Sequence, residues 1–109
     1  MTPVVTLSAT INGNEIYSDV IYPKNITYTV TSYNAKSCVV KDEKETYIHA
    51  NENTTSMSIT GITIPSTVNL VAECFSDING GGPSGRATKS VTVKCPTGTT
   101  WDLSLLSCK

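Results

Sequence analysis

The chain has 109 residues, the length of one domain, and carries a net charge of −1 from eight Lys and Arg against nine Asp and Glu. The cations are scattered, so there is no basic surface from which to argue a nucleic-acid or anionic-lipid partner, and neither is expected. Val and Ile dominate the apolar set among abundant Thr, Ser and Asn, a composition that favours strands.

From Val5 the apolar residues fall at every second position, Val5, Leu7, Ala9 and Ile11, until the turn-forming Asn12–Gly13–Asn14. That is the pattern of a half-buried strand. Residues 15–25 are less regular, with Ile16, Val20 and Ile21 offering a short edge piece before Pro23, which cannot donate to a central ladder. NITYTVTS then predicts a second strand with Ile26, Tyr28 and Val30 on one face, and KSCVVKD a short third with Cys38 and Val40 together. The charged stretch DEKETYIHANENTT reads as loop or edge strand. TSMSITGITIP predicts a strand through Met57 and Ile59, with Gly61 marking a phase shift or bulge before Ile62 and Ile64. VNLVAECF turns Val68, Leu70, Ala72 and Cys74 inward, DINGGGPSG reads as a long flexible connection, and RATKSVTVKC closes the pattern with Val91 and Val93 facing in. About seven short strands without a convincing helix predict an all-β, two-sheet antiparallel sandwich, with a small closed barrel as the structural alternative.

No apolar run approaches the ~20 residues of a membrane helix, and MTPVVTLSAT alternates instead of forming a charged region and a hydrophobic block. Four cysteines in so short a chain point to an oxidising compartment, and the expected object is a module excised from a larger exported protein, with Met1 foreign to it. Cys38 and Cys74 occupy inward strand positions 36 residues apart and are the leading pair, leaving Cys95 and Cys108 to enclose twelve residues, although four cysteines allow three connectivities.

The segments SYNAKSCVV, VNLVAECFSDINGGG and SVTVKC resemble the bacterial immunoglobulin-like repeats of secreted and cell-surface proteins, and the match covers residues 3–94. The resemblance implies an immunoglobulin-like domain over residues 1–94, followed by a disulfide-closed tail over 95–109. It also implies that a Cys38–Cys74 bond links neighbouring strands of one sheet. In the tail, the bland expectation is a stapled linker with Trp101 packed on the end of the fold under Leu103, Leu105 or Leu106. Its rival makes Trp101 an exposed platform for a sugar ring or protein partner.

Catalytic chemistry finds little support. His49 is the one histidine, in a polar stretch where a solvated loop residue is expected, and no G-x-S-x-G elbow accompanies it. The cysteines lack a C-x-x-C spacing, so zinc is not proposed, and Asp42, Glu43, Glu45 and Glu52 alternate with Lys41 and Lys44 as on a solvated face. Asp77 and Asn79 beside three glycines could offer oxygen ligands, but without the acidic repetition of a calcium loop. No cofactor or metal is expected. The expected function is a non-catalytic structural or adhesive module of an exported bacterial or phage surface protein, not inserted in the membrane, spacing neighbouring domains or presenting protein- or glycan-binding loops, among them Asp77 to Gly85. The alternative is an accessory module of a polysaccharide-active enzyme, touching glycan through Trp101 and Tyr47.

Overall fold

A computed structural model describes residues 2–109. The predicted alternation becomes strand almost throughout: β1 (Val4–Ile11), β2 (Asn14–Glu15), β3 (Val20–Ile21), β4 (Asn25–Tyr33), β5 (Ser37–Asp42), β6 (Tyr47–Glu52), β7 (Ser56–Ile62), β8 (Ser66–Phe75), β9 (Ser84–Lys94), β10 (Trp101–Asp102) and β11 (Ser107–Cys108). One 3-10 turn at Ile78–Gly80 interrupts the series. The fold is therefore all-β, as expected.

The strands form a four-stranded sheet in the order β2-β1-β4-β7, a five-stranded sheet in the order β3-β9-β8-β5-β6, and the small β10-β11 ribbon. Strand periodicity places the inward residues of both larger sheets in one core: Leu7, Ala9, Ile26, Tyr28, Val30 and Met57 from the first, Val40, Leu70, Ala72, Val91 and Val93 from the second. Burying such β-branched and aliphatic side chains contributes roughly 1.5–3 kcal/mol each for the larger ones. The charged stretch that left loop and edge strand open contains the edge strand β6, paired with β5 through two register shifts.

Three features differ from the expectations. The five-stranded sheet is mixed, because β3 runs parallel to β9 with Val20 opposite Val93 and Ile21 opposite Lys94. The chain leaves the first sheet after β2 and crosses to the edge of the second, so it arrives in the same direction as β9. Alternation reports which face a residue takes, not which edge its strand joins. Gly61 makes no bulge; it lies in unbroken register opposite Ile26, with Ile62 opposite Asn25. DINGGGPSG is not an open connection but is closed by backbone hydrogen bonds into a turn around Ile78–Gly80.

Cys38 and Cys74 are bonded across directly opposed positions of β5 and β8, their Cα atoms 4.0 Å apart and both side chains wholly buried. The cross-link thus joins neighbours within one sheet. Where β9 begins, Gly85 makes room for the N-terminal segment: a Cβ there would run into the carbonyl oxygen of Pro3.

Candidate functional site

The Gly-rich turn between β8 and β9 is held from below. Ser37, fully buried at the start of β5, donates its Oγ proton to the Asp77 carbonyl at 2.7 Å and accepts the Gly80 N–H at 3.0 Å. From the β6–β7 connection, Asn53 Oδ1 accepts the Asn79 N–H at 2.8 Å, and its amide donates to Asn79 Oδ1 at 3.3 Å. Backbone bonds from Ser76 to Pro83 and from Asp77 to Gly81 close the turn. At Gly82, φ is +77° and a side chain would strike Ser76 Oγ and the Asp77 carboxylate, so glycine is required on both counts. Asp77 and Asn79 are therefore displayed at the surface by a hydrogen-bonded turn, with the backbone N–H and side-chain oxygen of Asn79 already committed to Asn53.

The tail is built differently. Cys95 follows β9 directly and bonds to Cys108, whose backbone lies opposite Trp101 in the β10-β11 ribbon. Reciprocal backbone bonds join Thr100 and Lys109 at 3.0 and 2.8 Å, while Asp102 Oδ1 accepts the N–H groups of Ser104 and Leu105 and fixes the intervening turn. Trp101 meets Tyr22 edge-on, with ring centroids 5.2 Å apart and planes at 77°, and its indole N–H is buried without an acceptor. The expected leucine cover is not formed. Leu103, Leu105 and Leu106 are 77%, 59% and 67% exposed, because the tight turn points them outward. Tyr22, in the irregular stretch before Pro23, supplies the contact instead.

Tyr47 opens β6 at the exposed margin of a charge network absent from the sequence expectations. Its ring lies 6.0 Å from Lys41 Nζ. Lys41 donates to Glu45 at 2.9 Å and to Glu73 at 3.0 Å, and Glu73 also accepts from Ser84 Oγ at 2.8 Å and Arg86 Nε at 3.2 Å. Glu73 and Arg86 are direct partners across β8 and β9, and Lys41 reaches Glu73 diagonally from β5. Burial pushes the Glu73 carboxyl upward, but the donors Arg86, Ser84 and Lys41 outweigh it and hold the group down at about 2. Both carboxylate oxygens are occupied, so this cluster staples three strands and offers nothing to a ligand. The signal available in the sequence was a lone acid, Glu73, in an otherwise apolar alternation.

The structure does not bring the four candidate residues together. The Asp77–Asn79 turn precedes β9 and the Trp101 ribbon follows it, which separates them by a strand of eleven residues, about 35 Å of extended chain. Tyr47 and Asn53 stand at or beyond opposite ends of β6. His49 lies within β6 and not in a loop, with Nδ1 2.9 Å from the Ala50 carbonyl and Nε2 3.7 Å from Glu52. Among the described residues no three His, Cys, Asp or Glu side chains gather as a metal site, and no helix is long and apolar enough to cross a membrane. No protein-family model, curated protein or solved structure matches this chain.

Proposed function

We propose that the chain is an immunoglobulin-like β-sandwich module of an exported bacterial or phage-borne surface protein, non-catalytic, which spaces neighbouring domains or presents binding surfaces. The strand order supports this reading. β1, β4 and β7 line up as A, B and E of such a sandwich, and β9, β8, β5 and β6 as G, F, C and C′, with β3 switching from the first sheet to the edge of the second. The polar cluster around Glu73 is internally saturated, which suits a role in holding the sheet together.

The observation that carries the proposal is the buried Cys38–Cys74 bond at the centre of the five-stranded sheet. A cross-link in that position supports an oxidising setting, the usual one for exported proteins. Trp101 is a poor anchor for sugar in this arrangement, since it turns its indole N–H inward and leans on Tyr22. The proposal is tested by alkylating the protein as its own host makes it, then fractionating the cells and weighing the product. A mass without any alkyl adduct, all four sulfurs being bonded, is expected in a secreted or surface fraction. Four free thiols in the cytosol would overturn the assignment.

A further inference from the structure

The crossing from β2 to β3 leaves a groove beside β9. β3 pairs with β9 only at Val93 and Lys94, and just before it the segment Tyr17–Asp19 swings away from the strand. The space between, about 400 Å³, is lined by Tyr17, Ser18, Asp19, Lys89, Ser90 and Thr92 over an apolar floor of Ile16 and Val91. Its volume lies within the ~300–1,000 Å³ of small-molecule sites. Tyr22 N–H donates to the Lys94 carbonyl across this same edge. Every second residue of an extended strand presents its backbone groups to one side, so Ser90 turns its N–H and C=O toward the groove.

The charges decide what kind of molecule fits. Lys89 Nζ is 3.3 Å from Glu15 and equally close to the Ile16 carbonyl, and Lys94 Nζ is 2.8 Å from Asp19 Oδ2. Each cation is already matched, which leaves no positive excess for phosphate or another anion. The Thr92 hydroxyl is paired with Thr67 Oγ1 at 3.1 Å and the Ser90 hydroxyl donates to Asn69 Oδ1, which leaves Ser18 to offer a hydroxyl that can both donate and accept. Tyr17 on the rim is 89% exposed and has few rotatable bonds to freeze on binding, which suits its ring to stacking beside the groove. The free stretch of β9, Lys89 to Thr92, is too short to recruit a long added strand. The Ser18 hydroxyl, the second oxygen of Asp19, edge backbone groups and the Tyr17 ring together describe a receptor for a neutral polyol with a flat apolar face.

We propose that this groove binds a neutral hexose-based glycan, with Tyr17 stacking on a sugar ring and Asp19, Ser18 and the Ser90 backbone taking its hydroxyls. The inference rests on the reading of the chain as a surface-presenting module and names the ligand class of one surface. The test is an amide-resolved NMR titration of the whole oxidised chain with gluco-, manno-, galacto- and N-acetylglucosamine hexasaccharides, each to ~10 mM, which covers the weak end of the affinity scale. At least one should shift the amides of residues 17–19 and 89–92. Tyr17→Ala should then weaken binding roughly tenfold or more, and Ser18→Ala roughly threefold, about what one stacking contact and one hydroxyl supply. Trp101→Ala should leave the affinity within about twofold, since its ring lies outside the groove.

Because Tyr17 is exposed, its variant should melt with the parent, so lost binding is not lost folding. Silence toward all four sugars, shifts centred on the tail, or shifts given only by an extended peptide would each overturn the glycan site. A silent titration with both bridges intact removes this inference alone, whereas free thiols in the native protein remove the module reading beneath it.

Discussion

The two disulfides cross-link the same chain, yet they hold different things. In the loop-closure description, the Cys38–Cys74 bond, spanning 36 residues, and the Cys95–Cys108 bond, spanning 13, restrict the denatured chain by roughly 4 and roughly 3 kcal/mol. Chain entropy therefore hardly distinguishes them. What distinguishes them is the native side: Cys38 and Cys74 are wholly buried among Val40, Leu70 and Ala72, whereas Cys95 and Cys108 are half-buried in a ribbon whose leucines face water. The lesson is that a bridge matters to a fold through the surroundings its sulfurs occupy as well as through the loop they close.

The sharpest way to break that contrast is Cys74→Ser, which removes the cross-link and leaves a hydroxyl and a thiol in a dry interior. A loss of about 4–6 kcal/mol is expected in denaturant unfolding, enough to unfold most small domains. Equal midpoints for this variant and Cys108→Ser would contradict the contrast outright.

Next in size is the charge staple on the opposite face of the same sheet. Glu73 sits at about 2 in the folded protein against its ordinary 4.5. A depressed folded-state value means its contribution is complete above pH 4.5 and disappears as the pH falls through about 2. That difference corresponds to something on the order of 3 kcal/mol. Melting curves between those limits should fall more steeply for the parent than for Glu73→Gln, which at neutral pH should itself lose roughly 2–3 kcal/mol by leaving Lys41 and Arg86 without their shared carboxylate. Parallel pH profiles for the two proteins would refute the role of this group.

Cys108→Ser should lower stability by less, about 1–3 kcal/mol, and the effect should be local. Hydrogen exchange should speed at Thr100 and Lys109, whose paired amides close the ribbon, while Val40 and Leu70 stay protected. The smallest expected effect is that of Trp101→Ala, on the order of 1 kcal/mol, since the ring loses an edge contact with Tyr22 while its buried N–H has no bond to lose. A collapse of the whole domain on this change would mean that the ribbon belongs to the core.

Much of this architecture was legible in the residues. Val5 to Ile11, Ile26 to Val30 and Val68 to Cys74 alternate cleanly, and each is a strand with the expected face inward. The polar and charged stretch around Tyr47 was harder because an edge strand has no face that must be apolar, so β6 carries no period for a reader to find. Gly61 misled because glycine inside a strand often marks a bulge, yet at an exposed edge position it sits in a regular ladder. Residue type can nominate a binding residue, but type does not carry position. Trp101 drew notice as the one indole but is half-buried against Tyr22, while Tyr17, in an unpatterned segment, became the exposed aromatic beside a groove.

The sequence by itself determined the strand class, the inward set and the four sulfurs, because period-two burial and cysteine number are local properties that any β-chain must display. Only the tertiary structure decided that Glu73, Lys41 and Arg86 would meet across three strands, that β3 would run parallel beside β9, and that a groove would open where it parts from that strand. Those outcomes depend on strand order and direction. Such choices are made between segments far apart in the chain, by the need to close one core from two sheets, and no single stretch of residues records them.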